Sequence, residues 1–116
     1  MRRFAIVGLG VLLTAVGTRA AEQASSVTGE VVDTFCYAMM GAKGTGHKQC
    51  GVDCVKKGIP VGLLEKGTDK LYVLLPSKDK TALPDEVISK MAETVTITGH
   101  AQTKGGSNFL TVESIK

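Results

Sequence analysis

Past its first stretch, the chain is dominated by alternation of apolar and polar positions. Over residues 27–35, Val27, Gly29, Val31, Asp33 and Phe35 share one face and Thr28, Glu30, Val32 and Thr34 the other, which predicts a strand. Residues 61–64 and 71–75 are two further β-prone runs. The polar segment Glu65-Lys66-Gly67-Thr68-Asp69-Lys70 joins them as a turn, and Pro76, with no N–H for a ladder, ends the hairpin. Residues 83–92 change period. Pro84 suits a first helical position, Asp85 and Glu86 suit the first turn, and Leu83, Val87, Ile88 and Met91 recur at helical spacing. A short helix with Met91 on its buried stripe is expected. Residues 94–101 return to strict alternation, Gly105-Gly106-Ser107 turns the chain, and residues 109–115 close it as a last strand.

The predicted order is strand, cysteine-bearing insert, hairpin, helix, terminal hairpin. Over residues 27–115 this order resembles the oligonucleotide/oligosaccharide-binding (OB) fold. Val27-Thr28-Gly29-Glu30-Val31-Val32 and Thr94-Val95-Thr96-Ile97-Thr98-Gly99-His100 are similar to the first and fourth strands of small exported bacterial OB-like proteins. The resemblance implies a mainly β, five-stranded barrel at 27–116, with a short helix between strands 3 and 4. It carries no function, because OB barrels host many unrelated ones. The departure from the pattern is the insert at 36–60, expected to be helical and to lie between strands 1 and 2.

The stretch set aside has its own logic. Arg2 and Arg3 precede an apolar run at 4–16, and the small residues Gly17, Thr18, Ala20 and Ala21 follow. That is the layout of a secretory signal peptide, with cleavage expected after Ala20, a signal at 1–20 and a flexible leader at 21–26. The run is short beside the ~20 residues that a bilayer span needs, so an uncleaved anchor is the weaker alternative. The paired arginines are similar to a twin-arginine signal, but Phe4 follows them directly. A periplasmic or secreted protein, off the membrane after cleavage, is the expectation.

Cleavage also changes the charge. The chain has 14 basic and 11 acidic residues, a formal +3, but Arg2, Arg3 and Arg19 all leave with the signal. The mature part is neutral and contains no arginine, so nothing favours a nucleic-acid or anionic-membrane partner. Its aromatics, Phe35, Tyr37, Tyr72 and Phe109, are too few for a base-stacking platform.

Chemistry concentrates in the insert. It holds all three cysteines, Cys36, Cys50 and Cys54, together with His47, Met39 and Met40. A helix over 46–58, stopped by Gly58 and Pro60, sets Cys50 and Cys54 on the same face as His47, within about 60° of it. Cys36, at the end of the first strand, can reach the same place across the glycine-rich loop 41–46.

Three readings compete. The first is a metal site of Cys36, His47, Cys50 and Cys54 for Cu(I) or Zn(II), with the thioethers of Met39 and Met40 favouring copper. Such a protein would sequester the ion or deliver it to another exported protein. The second is a non-metal OB-type binding module with a disulfide-stapled insert. Cys36 would pair with Cys50 or Cys54, because helix positions four apart hold their Cβ atoms too far apart for the bond. The third is thiol redox or electron transfer by Cys50 and Cys54, whose Cys-x₃-Cys spacing is similar to that of Sco-type copper chaperones.

The remaining candidates are structural. Asp33 either orients His47 by accepting from its ring or marks an edge or bulge position of the strand. His100 is expected to be solvated, and Lys56 and Lys57 to be C-terminal helix charges. No serine, histidine and acid assemble into a triad, so hydrolysis is unsupported.

Overall fold

Nine residues of alternating pattern form the first strand, β1 (Ser25–Asp33), and place Val27, Gly29 and Val31 inward. The structure, a computed structural model, describes residues 24–116; the expected signal peptide and positions 21–23 of the leader lie outside the described residues. The other strands are β2 (Val61–Glu65), β3 (Leu71–Pro76), β4 (Thr94–Gly99), β5 (Ala101–Lys104), β6 (Ser107–Val112) and β7 (Ser114–Ile115). Among the described residues, three α-helices accompany them: α1 (Thr34–Met40), α2 (Lys48–Lys56) and α3 (Asp85–Ser89). Among the described residues, no helix is long and apolar enough to cross a membrane.

The protein is mainly β. Its strands form one mixed seven-stranded sheet in the order β5-β6-β3-β2-β1-β4-β7, which is not closed on itself. β1 runs antiparallel to both β2 and β4, with Asp33 opposite Val61 and Gly29 opposite Val95. β2 and β3 form the expected hairpin, and β3 lies parallel to β6.

Where five strands were expected there are seven, because the fourth and fifth each break in two. β4 pairs with β7 and β5 with β6, in registers that differ by one residue. The physical reason lies where they cross. A side chain at Gly99 would run into the Thr111 backbone, so only glycine permits this approach. Beside it, the His100 N–H is taken by Thr111 Oγ1 at 2.8 Å instead of by a ladder carbonyl. Across the break, Gly99 and His100 of one strand face Thr111, Val112 and Glu113 of the other, so one strand carries an extra residue.

The core is one cluster in which Val31, Leu63, Val87, Met91, Ile97 and Leu110 are almost wholly buried. Met91 lies there, as expected. α3 is shorter than the predicted 83–92, because Met91 forms a bridge to Val31 and the Ala92 N–H bonds Val31 O at 2.8 Å. Those contacts pull the chain off the helical path and onto the sheet.

The first strand ends earlier than predicted. Phe35 and Cys36 belong to α1, not to β1. The predicted helix over 46–58 is a 3-10 turn, Thr45–His47, followed by α2. The chain between β1 and β2 is therefore two short helices joined by a loop, standing over one end of the sheet.

Candidate metal centre

Asp33 organises this end of the molecule. It is the last residue of β1, is fully buried, and its Oδ1 accepts the Cys36 N–H at 2.8 Å. A carboxylate in that position is a helix N-cap, so α1 starts at Thr34, and Cys36 in its first turn is driven inward to 3% exposure. The outer face of α1 carries Phe35, Met39 and Met40, at 54%, 70% and 65% exposure. The helix ends at Gly41, whose N–H returns to Tyr37 O at 2.8 Å.

The loop that follows is anchored where the Gly44 N–H donates to Glu30 Oε2 at 2.8 Å. It delivers His47 to the N-cap of α2, where the ring makes no capping bond. The ring turns inward instead, and its Nε2 lies 2.7 Å from Asp33 Oδ2. Of the two readings of Asp33 open from the sequence, the pairing with His47 is the one present.

α2 sits close over the sheet because Gly51 has no side chain. A Cβ there would stand 2.8 Å from both Cγ and Sδ of Met91 and 3.5 Å from Asp33 Oδ2. Val52 and Val55 pack on the core beside it, and Lys48 Nζ meets Glu93 Oε2 at 2.7 Å. Cys50 faces solvent, and Cys54, one turn on, is half-buried.

These elements bring the chemistry together as two overlapping triads. Cys36, His47 and Cys50 offer ligand atoms within 4.8 Å of one another, and so do Asp33, Cys36 and Cys54. Cys36 belongs to both. The three thiols are free, and the Cys36 and Cys54 sulfurs lie 3.9 Å apart. Of the four residues singled out from the sequence, Cys36, His47 and Cys50 share one triad and Cys54 joins Cys36 in the other, and Cys36 arrives from a helix and not from a strand end. Each triad is a Cys/His or Cys/Asp group that can hold a metal ion.

Electrostatics follow from burial and proximity. Burial first, then the Asp33 carboxylate and the Cys54 sulfur, push the Cys36 thiol up to about 12. Burial likewise raises Cys54, against an opposing hydrogen bond from Cys36. Burial of Asp33 would raise its carboxyl, but the Cys36 N–H, the His47 ring and the Cys36 thiol outweigh it, leaving the carboxyl below 3.8. At neutral pH, Asp33 is thus ionised and Cys36 and Cys54 are protonated thiols. An ion that displaces both protons would relieve a site too crowded for bare thiolates.

Sequence reasoning missed two contributors. Gly51 seats α2, and Asp33 stands among the possible ligands as well as behind His47. An aspartate closing an alternating run three residues before Cys36 is a cap signal that was open to view. His100, expected to be solvated, is 42% exposed and pairs through Nε2 with Glu113 Oε1 at 3.0 Å.

Compared with protein-family models, with curated proteins and with solved structures, this chain matches none.

Proposed function

We propose that this protein binds a soft or borderline metal ion, Cu(I) or Zn(II), through Cys36, His47, Cys50 and Cys54, for sequestration or delivery outside the cytosol. The observation that carries this reading is the pair of triads meeting at Cys36. The sulfur spacing is compatible with it. Two thiolates each ~2.3 Å from one tetrahedral ion stand ~3.8 Å apart, whereas a disulfide is ~2.05 Å long. The observed 3.9 Å matches the first figure.

Asp33 contributes from behind. An ionised carboxylate only accepts, so a neutral His47 ring keeps its proton on Nε2 and leaves the Nδ1 lone pair free to act as a donor. Export rests on Arg2, Arg3, the apolar run and the small residues before Ala21. An OB-like strand arrangement, open where a barrel would close, remains our reading of the fold. Taking β4 with β5, and β6 with β7, as single broken strands gives the expected order, with α3 between the third and fourth.

The test is metal uptake by the mature protein purified anaerobically. We expect about one equivalent of Cu(I) or Zn(II). Cys36→Ser should abolish uptake, since Cys36 belongs to both triads. Full retention of metal in a folded Cys36→Ser protein would refute the assignment.

The proximity of the Cys36 and Cys54 sulfurs favours one second reading, a disulfide between them in a metal-free binding module. Counting reactive thiols before and after reduction separates the two, because the disulfide form exposes only Cys50 at the outset. The raised Cys36 and Cys54 thiols weigh against a thiol-exchange catalyst, which needs a ready thiolate.

A further inference from the structure

The two triads differ in depth. The outer one consists of exposed Cys50, half-buried His47 and buried Cys36; the inner one consists of half-buried Cys54 with buried Cys36 and Asp33. Cys50 and Cys54 lie on successive turns of α2, about 6 Å apart along its axis. The shared thiol, Cys36, and the Asp33 carboxylate are both buried, at 3% and 0% exposure.

We infer that this is a two-seat relay: a metal ion docks first on Cys50, His47 and Cys36, then passes inward to Cys36, Cys54 and Asp33 without ever leaving the Cys36 sulfur. The inference rests on the metal-binding reading and extends it to the route the ion takes.

Chemistry favours the inward step. The outer seat offers two thiolates and a neutral imidazole, whereas the inner seat offers two thiolates and a carboxylate. The inner seat therefore carries one more negative charge, in surroundings where less water screens it. The step is ligand exchange with no change of oxidation state. Bonds from the ion to Cys50 Sγ and the His47 ring break, and bonds to Cys54 Sγ and an Asp33 oxygen form. Cys54 gives up its thiol proton and Cys50 takes one up, so the protons balance. A carboxylate oxygen in the inner seat fits Zn(II) better than Cu(I), which prefers soft donors alone. The relay is accordingly a zinc relay, with the outer seat as its less selective mouth.

A Cys50→Ser protein tests this, and because Cys50 is exposed its replacement leaves the core untouched. Zn(II) uptake is followed by stopped flow against a chromophoric chelator, and the endpoint affinity is read by competition. The relay predicts that Cys50→Ser still takes up one equivalent, held at Cys36, Cys54 and Asp33, but about tenfold more slowly or worse. Without the outer seat, the ion must wait for the half-buried positions to open. Cys54→Ser should show the opposite pattern, with rapid capture and weak retention.

Cys50→Ser uptake at the wild-type rate would overturn the relay, and so would complete loss of binding, which would fix the ion at the outer seat. Either result would leave the metal site itself standing. Absence of Zn(II) and Cu(I) uptake by the wild-type protein would instead bring down the reading on which the relay rests.

Discussion

Replacing Asp33 with asparagine separates what the fold asks of this residue from what the site asks. Oδ1 caps α1 through the Cys36 N–H at 2.8 Å, and Oδ2 faces His47 Nε2 at 2.7 Å. Asparagine caps helices as well as aspartate does. Its single carbonyl oxygen must take the Cys36 N–H, because an amide NH₂ cannot accept. That NH₂ then points at His47 Nε2, which has to present a lone pair, so the ring proton moves to Nδ1 and blocks the nitrogen left for an ion. Loss of such a carboxylate partner lowers metal affinity about 10–100-fold, equivalent to about 1.4–2.7 kcal/mol. The inner seat loses its anionic oxygen at the same time, which acts in the same direction. Metal-free stability should fall by only about 1 kcal/mol, the difference between a charged and a neutral hydrogen bond. Titration calorimetry with Zn(II) gives the first quantity and urea unfolding the second. An Asp33→Asn protein that binds Zn(II) as tightly as wild type would refute the tautomer argument. One destabilised by more than about 3 kcal/mol would refute the capping argument.

Gly51→Ala should cost about 1–3 kcal/mol, because its Cβ would press on the Met91 thioether inside a packed core; the urea midpoint measures it, and an unchanged midpoint would mean that α2 floats more freely than its contacts imply. Acid should act through Asp33, whose folded carboxyl lies below 3.8. The unfolded chain binds this proton first as pH falls, so the contribution is complete above the unfolded pKa and disappears as pH drops through the folded one. Urea midpoints taken at falling pH below 3.8 should therefore decline, and Asp33→Asn should flatten that part of the slope.

Much of the sheet was legible because strands announce themselves locally. The alternation at 94–101 and the runs at 61–64 and 71–75 locate β4, β2 and β3 to within a residue or two. What failed was long-range or competitive. The alternating pattern of β1 continues through Phe35, yet the cap from Asp33 wins and turns the chain into α1. The breaks after Gly99 and Val112 arise where two strands cross, and nothing in either segment alone reports the other. The site divides the same way. His47, Cys50 and Cys54 could be grouped from helical spacing, since one element carries the last two and abuts the first. Gly51 reads as a weak helix residue until Met91 is found against it.

Asp33 explains why the donors sit where they do. α1 and α2 have seven and nine residues, both below the length of ~12–15 at which an isolated helix holds its shape in water. Neither can preorganise a ligand set unaided, and α2 reaches the core through little more than Gly51, Val52 and Val55. The rigid partner is β1, hydrogen-bonded on both sides, and its final residue is the carboxylate that starts α1 and holds the His47 ring. The sheet thus fixes one point, from which Cys36 and His47 each hang by one hydrogen bond. Such an arrangement keeps the thiols of each triad close enough to share an ion. A bound ion would cross-link α1 to α2 through Cys36, Cys50 and Cys54, so its binding energy would appear as added stability of these helices before that of the sheet.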